Sequence, residues 1–389
     1  MLILSIETSC DETAVSIIEA VGDFPNSKYE VLGDALFSQI DTHREYGGVF
    51  PALAKREHIA TVLPMLEKAL KEAKLESNFS PALTEDQKDH IHTLLSREHG
   101  LADQVITFYN SYGRPPIDLI AVTTGPGLEP ALWVGINFAK ALAYIWNTPV
   151  VPVDHMEGHI LASVFDGHKI APLTFPSLSL LVSGGHTELV LMQDWGQYEK
   201  IGQTRDDAVG EAFDKVARLL GLDYPGGPII SRLAEEAHKE QLPPFTDLPR
   251  PMLHSGDLDF SFSGLKTAVL YATKDRELTD DNKKALARDF EDAVIEVLIK
   301  KVTQAIEKYS VKSLIVGGGV SANQHLRQAI TDLKKKTDFS ELNIYLPDPA
   351  LSTDNSIMIA LSGHAREKSA LSPEDFSKEA KADGNLSLS

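Results

Sequence analysis

The chain is nearly devoid of cysteine: Cys10 is the only one among 389 residues. A single thiol excludes an intramolecular disulfide framework, and a reducing cytoplasm is the expected location. Long apolar runs are missing too. No stretch approaches the roughly 18 residues that span a bilayer, so no membrane association is expected. The start, MLILSIETSC, has no basic stretch and carries Glu7 where a secretory leader stays apolar. Positive charge is scarce, with 37 Lys and Arg against 56 Asp and Glu and a net charge of −19. That balance argues against non-specific binding to nucleic acid but leaves room for a local basic strip. The rest is ordinary for a globular protein, 43% hydrophobic and 24% charged, and long enough for two cores.

Strand-like and helix-like segments alternate, which predicts α/β layering. LILSIET followed by TAVSIIEA reads as two strands joined by a tight polar loop, Ser9 to Glu12. LSLLVSG followed by TELVLM repeats the arrangement about 175 residues later, with Gly184, Gly185 and His186 in the turn. Two such hairpins, each opening one half of the chain, predict a duplicated fold with a cleft between lobes. A helix is predicted from Lys284 to Tyr309, where Phe290, Val294, Val297, Leu298 and Val302 share one stripe. The stretch from about Glu76 to Arg114 interrupts the first half with mixed polar sequence. It reads as a surface insertion packing on the first lobe as one or two short helices, with an apolar stripe, Ile91, Leu94 and Leu95, that covers that lobe or a partner. His90, His92 and His99 lie there without a convergent carboxylate and are read as surface residues. The polar tail after Arg366 is expected to be disordered.

The most informative run is VPVDHMEGHILA, with His155 and His159 four residues apart. It follows the strand-like Val150, Val151 and Val153 and reads as the first turns of a helix. At that spacing both imidazoles stand on one helix face, about one turn apart. A helix offers two nitrogens to one transition metal in this way. The zinc-protease pattern HExxH shares the spacing but places Glu beside the first His. Here Glu157 lies roughly 200° around the helix from His155, so the run points to a metal and away from a peptidase. On this run alone, one packed and one solvated histidine stays open as an alternative.

Glycine placement adds a second piece of chemistry. Gly184-Gly185, Gly226-Gly227 and Gly317-Gly318-Gly319 fall at expected turns, where missing Cβ atoms let backbone N–H groups approach an anion. LIVGGGVSANQHLR reads as strand, glycine turn and helix, with Ser321 or Asn323 near the helix start, which suits a nucleotide or phosphate. It lacks the Lys-Ser/Thr of a Walker loop and the spacing of a dinucleotide fingerprint. Singly, each cluster is only a turn. Together with the paired hairpins and the two histidines they read as a nucleotide site.

The runs IETSCDETAVSI, GGVFPALAKREHI, TTGPGLEPALWVG, HMEGH, LVSGGHTELV, GEAFDKVARLLGLDYPGGP, DFSFSGLKTA, GGGVSANQHLR and STDNSIMIA occur in this order. Together they resemble the TsaD/Kae family of tRNA threonylcarbamoyladenosine transferases, in close to the bacterial form. The resemblance covers nearly the whole chain apart from 76–114 and the tail. It implies a two-lobed actin/Hsp70/hexokinase-like (ASKHA) fold. Residues 1–174 would form the first lobe, joined by 347–368. Residues 175–346 would form the second, and 369–389 a disordered tail. The implied reaction moves a threonylcarbamoyl group from threonylcarbamoyl-AMP to N6 of adenosine 37, in tRNAs reading codons that begin with A.

Residue by residue, the resemblance makes His155, His159 and Asp354 the ligands of one divalent metal per chain, Fe(II) or Zn(II). Leu181, Val182, Ser183, Gly184 and Gly185 would run along the acyl-adenylate (or bound ATP or AMP). Asp214, Gly227 and Asn323 would hold ribose and adenine. Ser231 stands where some members carry an acidic residue, and Asp154 where bacterial members usually have His. No general base is named by a motif; Asp11 and Glu12, in the first hairpin loop, are the carboxylates best placed. The expected partners are tRNA, a TsaB-like paralogue, a TsaE-like ATPase and a threonylcarbamoyl-AMP synthase as donor source. A small-molecule kinase or ATPase of the same fold, and less so a metallopeptidase, are the competing readings.

Overall fold

The apolar and β-branched residues of the first twenty positions form an antiparallel hairpin, β1 (Leu2–Glu7) and β2 (Glu12–Val21), extended by β3 (Lys28–Ser38). β4 (Leu119–Gly125) pairs parallel to β1, and β5 (Val150–Asp154) parallel to β4, giving the order β3-β2-β1-β4-β5. The computed structural model describes residues 1–75, 81–274, 276–335 and 339–388. Within them the chain divides into two compact units. The first comprises 1–41, 49–171 and 354–387; the second comprises 42–48, 172–353 and 388–389.

In the first unit β1 and β4 are buried along almost their whole length, as strands covered on both faces must be. Leu4 and Ile6 join a core with the helices Pro51–Glu72 and Glu129–Trp146. Alternation along the strand turns Ile3, Ser5 and Glu7 to the opposite face. The buried helix Ser356–Ala365 packs against β1, β2 and β4, and Ser16 Oγ hydrogen-bonds Ser356 Oγ.

The second unit repeats the plan. β6 (Ser177–Val182), β7 (Thr187–Asp194) and β8 (Gln197–Gln203) form the antiparallel part. β9 (Ser313–Gly317) and β10 (Asn343–Tyr345) add in parallel on the other side of β6. Read from β8 the order is β8-β7-β6-β9-β10, the same topology as the first sheet and the duplication the paired hairpins predict. The long helix runs Asp280–Tyr309, one turn earlier than its apolar stripe, because Thr279 caps it by accepting from Asn282 N at 3.2 Å. Phe290, Val294, Val297, Leu298 and Val302 are all in the core of this unit.

Two expectations are corrected. The segment after Arg366 is not a disordered tail. Leu371 bridges to Val150, Ser372 caps a helix Pro373–Glu379, and Phe376 of that helix is fully buried in the first core. One apolar residue with a pocket outweighs the polar composition around it. The 76–114 stretch packs on the first unit as two short helices, as its apolar stripe predicts, but more deeply than a surface insertion. Residues 76–80 lie outside the described residues, but the helices Glu85–Leu94 and Leu101–Tyr112 put Ile91, Leu95, Leu101, Val105 and Phe108 into the same core. Leu94, expected on that stripe, is only half-buried.

Candidate metal centre and glycine turns

β5 runs straight into the helix His155–Val164. Asp154 turns the chain by accepting from Met156 N at 2.8 Å and Glu157 N at 3.2 Å, an N-cap that fixes where the helix starts. His155 and His159 therefore stand one turn apart on one face, ring centroids 4.7 Å from each other. Asp354 comes from the first turn before Ser356–Ala365, a helix whose start is set by Asn355 accepting from Met358 N at 3.0 Å. Gly158 lets the two helices approach closely, since a Cβ there would lie 3.0 Å from Met358 Cγ. Asp354 Oδ1 consequently sits 3.3 Å from His155 Nε2 and 3.3 Å from His159 Nε2.

This set is suited to a cation. One ligand atom from each of the three residues lies within 4.8 Å of the others. Edges of 3.3 Å are close to the ~3.3 Å between ligands bonded at about 2.1 Å around a tetrahedral metal. His159 is 1% exposed and its Nε2, though near Asp354, is not aligned for a hydrogen bond with it. A buried imidazole nitrogen left without a partner beside a carboxylate is a group that a metal ion would satisfy. Glu157 points elsewhere, as its place on the helix predicts. Its Oε2 accepts from Ser362 Oγ at 2.7 Å and Arg366 Nε at 2.5 Å.

Behind the histidines stands Glu7. Its Oε2 lies 3.1 Å from His155 Nδ1 and accepts from Thr123 Oγ1 at 2.5 Å, while Oε1 accepts from Ser9 N at 2.5 Å. A carboxylate on Nδ1 fixes the tautomer that presents Nε2 as a ligand. Burial penalises the charged His155, but Asp354 and Glu7 outweigh it and raise the imidazole well above its usual range. Burial likewise opposes the Asp354 carboxylate, yet His155 and His159 hold it well below the usual carboxylate range.

The β1–β2 turn brings Asp11 and Glu12 into the same unit. Burial, then Asp11 and Asp354, push the Glu12 carboxyl well above its usual range. Glu12 Oε1 accepts from Ser38 Oγ at 3.4 Å, and Asp11 is 7% exposed. Burial also pushes the Cys10 thiol up, which leaves it a poor nucleophile.

The glycine-turn residues belong to the second unit. Leu181 and Val182 are fully buried in β6, so only their backbone is available to a ligand. Ser183 N donates to His186 O at 2.9 Å, and Ser183 Oγ accepts from His186 N at 3.1 Å, closing the turn around Gly184 and Gly185. Added Cβ atoms at those two glycines would meet nothing within 4 Å, so the space beside their α-carbons is open. Asp214 Oδ1 accepts from Gly226 N at 2.7 Å and sets the start of the helix Gly226–Glu240; space beside Gly227 is open. Asn323 caps the helix Gln324–Asp332 through Leu326 N at 2.8 Å. Its Nδ2 donates to Glu291 Oε1 at 2.6 Å and Ser231 Oγ at 2.7 Å. Asp214 and Asn323 are thus each engaged in fixing a helix start, Asp214 through Gly226 N and Asn323 through Leu326 N.

The family model for TsaD, tRNA N6-adenosine threonylcarbamoyltransferase, matches residues 30–79 and 109–361. The chain belongs to the TsaD family. Two relatives bearing the name tRNA N6-adenosine threonylcarbamoyltransferase, from Burkholderia cenocepacia and Burkholderia ambifaria, are each 44% identical over 373 residues, 94% of this chain and 92% of theirs. Among solved structures, full-length HypF in a phosphate- and nucleotide-bound form matches with TM-score 0.50 at 11% identity, covering 94% of this chain and 46% of that one. The duplicated sheets and this likeness give the ASKHA-type α/β fold. As a TsaD-family member the chain is an acyltransferase that places a threonylcarbamoyl group on N6 of adenosine in tRNA. Among the described residues no helix is long and apolar enough to cross a membrane.

Within the TsaD chain, two contributors escape the sequence reading. Glu7 lies in β1, far from the histidines in sequence, and only strand alternation hints that it faces away from the Leu4–Ile6 core. Gly158, in the middle of HMEGH, reads as a neutral helix residue until the partner helix is known.

Proposed function

We propose that the TsaD reaction of this chain uses threonylcarbamoyl-AMP as donor, adenosine 37 of tRNAs reading codons that begin with A as acceptor, and one divalent metal, Fe(II) or Zn(II), held by His155, His159 and Asp354. The supporting observation is the convergence of two imidazole nitrogens on one carboxylate oxygen, 3.3 Å each, with Glu7 behind His155. Two nitrogens and one oxygen leave coordination positions open, as a catalytic rather than a structural metal requires. Bound there, the metal would supply Lewis-acid stabilisation of charge on the donor's carbamoyl and phosphate oxygens.

The chain's own groups do the rest. The backbone N–H groups of Gly184 and Gly185 are the proposed donors to anionic oxygen, in the manner of an oxyanion hole, and buried Leu181 and Val182 anchor the strand that leads to them. Asp214, Gly227 and Asn323 would position ribose and adenine. The N6 amine is a weak nucleophile because its lone pair is delocalised into the ring, so its proton must be removed as the C–N bond forms. Asp11 and Glu12 are the proposed acceptors of that proton, and AMP is the leaving group. Glu157, tied to Ser362 and Arg366, has no place as a peptidase base. Lys55 and exposed Arg56, on the helix Pro51–Glu72, are proposed to meet tRNA phosphates. A cytoplasmic setting, a TsaB-like paralogue, a TsaE-like ATPase and a threonylcarbamoyl-AMP synthase complete the proposed arrangement.

Incubation with threonylcarbamoyl-AMP and unmodified tRNA, followed by nucleoside mass analysis, tests the donor. With the proposed partners present, threonylcarbamoyladenosine should appear at position 37 with threonylcarbamoyl-AMP as the sole source of the threonylcarbamoyl group. Product that forms only when ATP and a different donor are supplied would overturn this reading.

A further inference from the structure

The second unit carries a cluster that the reaction above does not use. His238, in the last turn of Gly226–Glu240, Asp292 of Asp280–Tyr309 and His325 of Gln324–Asp332 come from three packed helices. His238 Nε2 lies 3.2 Å and His325 Nδ1 3.5 Å from the same Asp292 oxygen, Oδ1. The two rings meet edge-on at 5.4 Å, and one ligand atom from each residue lies within 4.8 Å of the others. These edges bracket the ~3.3 Å between ligands bonded at about 2.1 Å around a tetrahedral metal. We infer that His238, Asp292 and His325 form a second metal site, for a divalent transition metal of the zinc, cobalt or nickel class.

Three observations support this over a pair of surface ion pairs. Asp292 Oδ1 lies 3.2 Å from His238 Nε2 and 3.5 Å from His325 Nδ1, and Glu291 Oε2 lies 3.3 Å from the same His325 nitrogen; the two imidazoles thus converge on carboxylate oxygen, an arrangement that suits one divalent cation. All three ligands sit on helices rather than loops, which holds them in position. His238 and Asp292 also line a cavity of ≈ 540 Å³ shared with Arg250 and Arg288, so a bound metal would keep solvent access. Glu291 is buried beside this cluster, its Oε2 3.3 Å from His325 Nδ1 and its Oε1 accepting from Asn323 Nδ2 at 2.6 Å. Occupancy would therefore reach the side chain that the proposed reaction places at the nucleotide. The donor set of two imidazoles and one carboxylate suits late first-row divalent ions more than Mg(II) or Ca(II).

The test uses the full chain, freed of metal by a chelator and titrated with Co(II), with bound cobalt read by visible absorption and calorimetry and the fold by circular dichroism. The wild type should bind two equivalents. H155A/H159A and H238Q/H325Q should each bind one, and the combination none. D292N in the H155A/H159A background should weaken the remaining site at least tenfold. His238 and His325 are 46% and 36% exposed, so their replacement leaves the core intact. If H155A/H159A bound no cobalt while the wild type bound one, the second site would not exist. If H238Q/H325Q bound none while H155A/H159A bound one, this site would stand and the His155 centre would fail instead.

Discussion

In the proposed metal centre, Glu7 is the group that would hold His155 in place as a ligand. Its two oxygens take Ser9 N, Thr123 Oγ1 and His155 Nδ1, so the carboxylate is held on three sides and the ring it holds cannot turn. E7Q keeps the size but puts an amide N–H against one of these groups. Cobalt affinity of the His155 centre should fall roughly 10- to 100-fold, as for other carboxylate–histidine supports, with circular dichroism unchanged; unchanged affinity would remove Glu7 from the site. Asp206 plays a comparable part in the second unit. It accepts from Ser261 Oγ, Phe262 N and both Ser263 groups at 2.6–3.1 Å. Partial burial opposes its charge, but Ser261 and these N–H groups hold the carboxyl below its usual range. A depressed carboxyl contributes stability above its ordinary value of about 3.9, and loses it as pH falls through the native value. D206N should therefore cost roughly 1–2 kcal/mol at pH 7, with the gap to wild type closing below about pH 4 in denaturant titrations. The histidine pair was legible in the sequence because helical spacing alone puts i and i+4 together. Glu7 was not, because its partner is brought in by β5, a strand apart in the sheet.

Helix against helix is what delivers Asp354 to the histidines. The His155–Val164 and Ser356–Ala365 helices touch at Gly158, where a Cβ would come to 3.0 Å from Met358 Cγ and 3.2 Å from Ile359 Cδ1. G158A gains up to about 1 kcal/mol of helix propensity but overpacks a buried contact, which costs about 1–3 kcal/mol. The second term wins. The variant should be destabilised in thermal melts and bind cobalt more weakly at the His155 centre, while the His238 site is unaffected. A variant as stable as wild type with full affinity would show that the contact has slack. Both hairpins and the long helix were readable from alternation and 3.6-residue periodicity. The cap at Thr279 lengthens that helix beyond its apolar stripe, because capping depends on one side chain rather than a period.

Across the chain, the two sheets share one strand order, so each strand in one unit has a counterpart in the other. Length and paired hairpins were enough to expect that. The tail and the depth to which the 76–114 helices are buried escape composition because it averages over residues, whereas anchoring needs only a few. Phe376 is the clearest case, a fully buried ring in a segment of polar residues. F376A should cost about 3–5 kcal/mol, read as a shifted midpoint in urea; a loss under 1 kcal/mol would return the tail to a peripheral role. The helices Glu85–Leu94 and Leu101–Tyr112 fill the same core, although residues 80–108 fall between the stretches that the TsaD family model matches.

The most direct measurement follows metal content and threonylcarbamoyl transfer on the same samples. Wild type, H155A/H159A and H238Q/H325Q are depleted with chelator, reloaded stepwise with Fe(II) or Zn(II), and assayed for threonylcarbamoyladenosine in unmodified tRNA by nucleoside mass. Transfer should rise with occupancy of the His155, His159 and Asp354 centre and be nearly lost in H155A/H159A, whose fold should persist by circular dichroism. Full transfer by H155A/H159A in metal-depleted buffer would contradict a role for that centre in the reaction.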